Sequence, residues 1–309
     1  MDLKSKLLEP KETVLLYGTT PPRHATPEDQ IAAAAEKLAA RTAALPLDGI
    51  VVYDIQDEAG RKAQPRPFPF VQTVDPRSYS RALAQRSGRP VIAYKALGTL
   101  AEGAWREWLA ETKQQFGLDF LSVVGRPTSG VKYPMPLSRA IRIAAGPHTG
   151  LTIGGVVIAE RHTHERSESA RLLAKSLEGC GYFISQTVYH ARPTLLLLRD
   201  YLRDCRGAGV QPRRIVLTFS PCGREKTLAF MRWLGVNVTA ETERTILGAA
   251  NPLAKSIEIC RDNLRRILDQ AYAAHLPLGV NVESVSINRD EIDASVDLFH
   301  ALHEVLRGK

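Results

Sequence analysis

The chain has 309 residues, 44% hydrophobic and 24% charged, the proportions of an ordinary globular protein, which excludes a disordered chain, a collagen-like repeat and a disulfide scaffold. That length suits an α/β barrel of about 250 residues with added segments. Lys and Arg number 41 against 33 Asp and Glu, a net +8; the cations are scattered, so the excess points to an anionic small molecule and no nucleic-acid partner is expected.

Short β-branched or apolar runs alternate with longer helical patterns along the whole chain. Residues 13–17 read as the first strand, halted by Gly18 and Pro21-Pro22, and a helix follows over 27–44 with Thr26 as cap and Pro27 in its first turn. Residues 49–55 form the second strand, and the Pro-rich stretch 65–69 a rigid loop. Strand three (91–94) leads to a helix over 101–116. Strand four (120–124) ends at Gly125 before a loop rich in Gly and Pro and a helix over 137–145. Strand five (151–159) precedes a helix over 168–177, strand six (182–188) a helix over 194–205, and strand seven (215–219) a helix over 226–234. An extra helical segment over 253–274 comes before strand eight (278–283), and a helix over 289–306 closes the chain. Eight such units without a break in composition predict one domain, residues 1–309, folded as a closed (β/α)8 TIM barrel with that extra segment before strand eight. A doubly wound sheet is the alternative, but no Gly-x-Gly-x-x-Gly joins a strand to a helix.

No apolar run approaches the ~20 residues that span a bilayer, and the N-terminus lacks an apolar export signal. The four cysteines, Cys180, Cys205, Cys222 and Cys260, form no CxxC pair. Reduced thiols in a cytoplasmic protein, with no membrane association, are expected.

In a TIM barrel chemistry sits where the strands end. The polar residues there are Asp54, Gln56, Asp57 and Glu58 after strand two, Lys95 after three and Arg126 after four. Glu160, Arg161 and His162 follow strand five, Gln186 and Tyr189 lie in and after six, Arg224 after seven, and Asn281, Glu283 and Ser284 in and after eight. Most rim residues are polar because they are wet. Three stand inside otherwise apolar strands. Gln186 needs a partner or a ligand, because burying its amide unpaired costs roughly 1–3 kcal/mol. Asn281 and Glu283, two apart, face the same way, and a carboxylate turned into a barrel is costly unless it is paired or catalytic. An ion pair with a nearby Arg or Lys is the other reading of Glu283. His162-x-His164 with Glu160 and Glu165 lacks a third ligand and reads as a solvated loop, so no metal is expected. Gly-x-Ser-x-Gly, HExxH and Walker motifs are absent.

The run from Ile153-Gly154-Gly155-Val156 to Glu160-Arg161-His162, the acidic helix after it, and Gly181-Tyr182-Phe183-Ile184-Ser185-Gln186 resemble the central region of methylenetetrahydrofolate reductases. That family has a strand, a Pro-Glu-x-His loop, a helix, and a strand ending in Thr/Ser-Gln. The tail from Gly279 to Ile287 is similar to a divergent, flavin-independent branch of the same family. The resemblance implies an oxidoreductase in which NAD(P)H, directly or through FAD, exchanges hydride with the one-carbon unit of a tetrahydrofolate derivative, interconverting 5,10-methylenetetrahydrofolate and 5-methyltetrahydrofolate. It implies Gln186 on the pterin, Lys175 on a flavin phosphate and Glu168 on a flavin ribityl or ribose. Glu160, His162 and Arg126 are further cofactor candidates, and Asn281, Tyr189 and Arg224 further substrate candidates.

Three departures from the family pattern stand out. Gly18 occupies the position, three before the Pro-Pro pair, of a glutamate that protonates the pterin nitrogen. Arg126 replaces the aspartate of an Arg-Gly-Asp after strand four, and Pro221-Cys222-Gly223-Arg224-Glu225 lacks an aromatic that stacks on folate. Strands two and eight flank strand one in a closed barrel, so Asp54 and Glu283 are the candidate proton donors in its stead. The competing reading is a folate- or pterin-binding paralogue that kept the barrel and lost redox catalysis along with the strand-one acid.

Overall fold

Eight parallel strands close on themselves in sequence order. β1 (Val14–Thr19) hydrogen-bonds to β2 (Gly49–Val52) on one side and to β8 (Leu278–Glu283) on the other. Between them run β3 (Val91–Ala96), β4 (Phe120–Val124), β5 (Thr152–Val157), β6 (Tyr182–Thr187) and β7 (Arg214–Phe219). The computed structural model describes residues 2–57, 64–125 and 134–308, and its architecture is the expected (β/α)8 TIM barrel.

Strand alternation sorts the apolar side chains into two cores. Leu15, Tyr17, Ile50, Val52, Leu121, Phe183 and Leu217 face outward onto the helices. Val14, Leu16, Val51, Ile92, Phe120, Tyr182, Ile184 and Val216 fill the inside of the barrel. Tyr182 lies across the interior at the level of Gly154, where an added Cβ would stand 2.2 Å from the ring. Glycine is required there by close approach.

One end of the barrel is sealed by α1 (Leu3–Leu8), a short helix capped by Asp2, whose carboxylate accepts from Ser5 N at 2.7 Å. Its buried Leu3 and Leu7 join the interior core. Arg214, at the start of β7, is buried at the same end and donates to the carbonyls of Leu7 (3.4 Å), Leu278 (2.9 Å) and Glu9. An ion pair between Lys6 and Asp48 at 2.7 Å fastens the helix to the loop before β2.

The outer layer comprises α2 (Glu28–Thr42), α3 (Pro76–Ser87), α4 (Glu102–Gln114), α5 (Leu137–Ala144), α6 (Glu168–Leu177), α7 (Ala191–Gly207), α10 (Pro252–Leu268) and α11 (Arg289–Arg307). α3 falls in a stretch where no helix is expected from the apolar pattern. Its ends nevertheless carry signals: Asp75 accepts from Arg77 N at 2.8 Å, Pro76 opens the first turn, and Gly88 closes it at φ 64°. α2 starts one residue later than expected, with Pro27 in the cap position and no side-chain cap.

The helical content expected before β8 is present, but the roles within it are redistributed. α10 packs against α7 and α11 and so takes the ring position between β7 and β8. The preceding α8 (Glu225–Leu234) and α9 (Ala240–Leu247) form an excursion at the strand ends. There Trp233 Nε1 donates to Gln64 O at 3.1 Å, and Phe230 meets Phe68 edge-on, ring centroids 5.2 Å apart. Arg66 lies over the Phe230 and Trp233 rings.

Leu7→Ala is expected to lower the unfolding free energy by about 2–5 kcal/mol, as for other large-to-small core changes. Chemical denaturation reads this as an earlier midpoint; an unmoved midpoint would show that α1 contributes nothing to closing the barrel.

Candidate functional site

The strand ends opposite α1 form the barrel mouth; β1 opens onto it with a glycine, and side chains from β6, β7 and β8 and from Tyr53, just after β2, point into it. Gly18 of β1 pairs with Glu283 of β8. An added Cβ at Gly18 would lie 2.7 Å from the Tyr53 hydroxyl and 3.2 Å from Glu283 Cβ, so these two side chains already fill the space above it. As the two-residue spacing requires, Asn281 and Glu283 share the inward face. Buried Asn281 donates through Nδ2 to Tyr53 Oη at 2.9 Å and to Thr218 Oγ1 at 3.3 Å. Glu283 Oε1 accepts from Thr187 Oγ1 at 3.0 Å, and the Tyr53 hydroxyl stands beside Glu283 above Gly18. The partners of this carboxylate are therefore hydroxyls.

Glu283 lies deep in the mouth yet keeps part of its surface open. Burial pushes its carboxyl above the usual range, against the opposing pull of hydrogen bonds from Tyr53 and Thr187. Burial, and then the Glu283 charge, hold the Tyr53 and Tyr94 phenols well above theirs. Partly exposed Val124 and Val156 line the opposite side. The mouth thus combines an apolar wall with a carboxyl whose ionised form burial disfavours.

Gln186 is not among the inward groups. In the β6–β7 ladder Ile184 pairs with Val216, but Thr187 pairs with Thr218, so β6 carries one extra residue. This bulge shifts the alternation by one position. Thr187 turns inward, and Gln186 Nε2 instead donates to Leu234 O at 3.0 Å, at the end of α8. Asp54 is likewise engaged elsewhere. Its Oδ2 accepts from Ala96 N at 2.8 Å and lies 3.8 Å from Lys95, and its Oδ1 accepts from Gln56 at 2.8 Å. Burial raises its pKa against those contacts, but its role is to end β3. Of the two candidate donors, Glu283 is the one at Gly18.

A cleft of about 390 Å³ opens on the same face, where the ends of β5 and β6 meet the segment between α8 and α9. Glu160, His162, His190, Arg192 and Asn237 line it. Glu160 Oε1 accepts from Asn237 N at 3.3 Å, and burial raises its carboxyl. His162 Nε2 is 2.9 Å from Asp200 Oδ2, while its Nδ1 is buried without a hydrogen-bond partner. Asn237 Nδ2 bonds His190 Nδ1 at 3.2 Å.

The remaining candidates stand apart from both hollows. Tyr189 is buried and donates to Ser220 O at 2.7 Å. Lys175 Nζ donates to Val156 O at 2.7 Å from behind β5, where burial lowers its pKa. Glu168 is buried at the start of α6, 3.5 Å from Arg171. Neither presents its charge to the mouth, so this pair does not fit the flavin phosphate and ribose contacts implied for it. Glu58 and Arg126 lie outside the described residues. Exposed Arg224 lines a second cleft of about 350 Å³, between the β7 and β8 loops. Barrel enzymes often hold phosphate at that place. Here the buried Glu291 carboxylate occupies it, accepting from Gly223 N at 3.1 Å, Thr227 Oγ1 at 3.0 Å and Ser286 Oγ.

Among the described residues no group of three or more His, Cys, Asp or Glu side chains could hold a metal ion, and no helix is long and apolar enough to cross a membrane. All four cysteines are free and buried. The residues that the sequence pattern alone did not single out are Tyr53 and Thr187 in the mouth and His190, Arg192 and Asn237 in the cleft. The period from Val51 to Tyr53 is a signal for the first; Thr187 and Asn237 depend on the bulge and on the α8–α9 excursion.

No protein-family model matches the chain, and no curated protein matches its sequence. Among solved structures, a Clostridium thermocellum protein that binds two copies of 5-methyl-5,6,7,8-tetrahydrofolic acid is similar over 99% of this chain and 99% of its own, with 30% identity and a TM-score of 0.82. N-(5'-phosphoribosyl)anthranilate isomerase from Pyrococcus furiosus aligns over 96% of this chain and 100% of its own, with 11% identity and a TM-score of 0.46. An oxaloacetate acetylhydrolase aligns over 91% and 79%, with 13% identity and a TM-score of 0.47.

A carboxyl whose pKa is raised on folding binds its proton more tightly in the folded than in the unfolded chain. The stability it contributes is present below the unfolded value and is lost as pH rises through the folded one. Glu283→Gln removes this loss while keeping an acceptor for Thr187 and Tyr53. Relative to the parent, the variant should gain stability as pH rises from the acid range to neutrality; urea midpoints that move in parallel with pH for both proteins would refute the assignment.

Proposed function

This chain belongs to the family of the Clostridium thermocellum protein, and from that membership we propose that its barrel mouth binds a reduced folate and that it interconverts 5,10-methylenetetrahydrofolate and 5-methyltetrahydrofolate with NAD(P)H. The observation that carries the reading is Glu283, a carboxyl raised by burial and standing over Gly18, the position at which methylenetetrahydrofolate reductases carry their acid.

The chemistry divides between proton and hydride. Opening the one-carbon bridge breaks its bond to N10 of the folate, and the departing nitrogen takes a proton from Glu283. The resulting iminium on N5 accepts hydride from the reduced nicotinamide, which is oxidised, and becomes the methyl group. Glu283 recovers its proton from solvent through the mouth. A carboxyl raised by burial suits this task, because a general acid works best as its pKa moves up toward the operating pH. The apolar wall of Val124 and Val156 supports a pterin ring lying against it.

The second hollow, with Glu160, His162 and Arg192, is assigned to the nicotinamide nucleotide. It lies on the same face and carries hydrogen-bond donors and a cation suited to a diphosphate.

Purified protein is expected to be colourless, to bind 5-methyltetrahydrofolate in a titration and to consume NADH or NADPH with methylenetetrahydrofolate. Glu283→Gln should lower kcat by about 100-fold or more, the usual worth of a general acid, and Asp54→Asn should leave turnover near normal. Binding without turnover would make the protein a folate-binding paralogue, and absence of binding would end the folate reading. Arg192→Ala should raise KM for the nicotinamide nucleotide by about tenfold, the loss of one charge-assisted hydrogen bond, without changing folate affinity. Unchanged kinetics would move the nucleotide out of the cleft.

A further inference from the structure

Glu283 is held by a side chain from the far side of β1. Tyr53 follows directly on β2, and its ring reaches over Gly18, so that a Cβ there would stand 2.7 Å from Oη and 3.0 Å from Cε2. Asn281 Nδ2 donates to the Tyr53 oxygen at 2.9 Å. An amide N–H can only donate, which leaves the tyrosine's own proton to point elsewhere, and Glu283 is the acidic side chain that shares the space above Gly18 with it. Thr187 Oγ1 supplies the carboxylate with a hydroxyl donor, at 3.0 Å.

We propose that Tyr53 is a positioning residue for Glu283: clamped by Asn281 in the volume that Gly18 leaves open, it donates to the carboxylate and thereby sets both its orientation and the pH at which it gives up its proton. The use made of that proton rests on the folate reading above; the juxtaposition of Tyr53 and Glu283 does not need a ligand. Asn281 is thus a support for the support, two bonds removed from any substrate.

A tyrosine that merely filled space would be replaced by phenylalanine without effect on its neighbour's titration. The other titratable groups that sense the Glu283 charge are Tyr94 on β3 and Tyr17 on the outer face of β1, both phenols raised by burial. Neither titrates in the carboxylate range, so a shift there reports the bond from Tyr53.

The measurement is the protonated-carboxyl infrared band of the ligand-free protein, isolated as its difference from Glu283→Gln and followed against pH. Tyr53→Phe should move the midpoint upward by about one to two pH units, because a donor to the charged form is lost. Thr187→Val, which removes the second donor, calibrates that shift. Gly18→Ala should move the midpoint in the same direction by displacing the hydroxyl, and adding Gly18→Ala to Tyr53→Phe should add little. An unmoved midpoint in folded Tyr53→Phe overturns the proposal, as does a Gly18→Ala shift that adds in full to that of Tyr53→Phe. No folate is present, so this result is independent of the folate reading: a protein that fails to bind folate yet shows the Tyr53→Phe shift loses the function and keeps the positioning.

Discussion

At the mouth of a closed barrel, neighbouring strands compete for a volume that holds few side chains, and here β1 contributes none. Because residue 18 is glycine, Tyr53 from one side and Glu283 from the other meet above it. The three positions are one steric unit. A carboxylic side chain at residue 18 would need the space of the Tyr53 hydroxyl, 2.7 Å from where its Cβ would begin. A glycine on β1 and a carboxyl on β8 are therefore two sides of a single packing solution.

The rest of the interior determines what that acid can do. At the closed end Leu3 and Leu7 of α1 plug the barrel, and Arg214 is neutralised in effect by backbone carbonyls. Tyr94, Tyr182, Ser122 and Asn281 are buried inside the barrel with the apolar side chains. A carboxylate set over this stack faces few mobile dipoles, and its ionised form is disfavoured. Hydroxyl donors offset part of that penalty without the full stabilisation of an ion pair. A cation in place of Tyr53 would hold the group ionised and remove its capacity to give a proton; the phenol leaves it poised. Sealing at one end and acidity at the other are thus linked through the dryness of the core.

The barrel was legible because parallel strands bury both faces and read as β-branched runs bounded by Gly and Pro. The shared face of Asn281 and Glu283 followed from a two-residue period that no irregularity interrupts. Gln186 shows where such counting stops: one extra residue in β6 exchanges its place with Thr187, and nothing in Ile184-Ser185-Gln186-Thr187 announces the bulge. Tyr53 carries no chemical signal in a strand, since an aromatic there reads as core. The family resemblance implies Lys175 as a flavin ligand, but its amine is turned to Val156 O. Nor could amphipathic patterns say whether α8 or α10 packs in the ring. Each has an apolar face; the choice is made by contacts of α10 with α7 and α11.

The bulge in β6 also ties the two hollows together. By turning Thr187 inward it supplies a donor to Glu283, and in the same step it turns Gln186 outward to Leu234 O. That bond holds the end of α8 against β6. The next residues of the excursion, Gly235 and Asn237, then form one wall of the cleft, with Asn237 bonded to both Glu160 and His190. A regular β6 would return Gln186 to the interior, taking the place of Thr187 beside Glu283 and releasing α8 at once. One inserted residue therefore serves the acid in the mouth and the wall of the neighbouring cleft, which is why neither can be altered at β6 without the other.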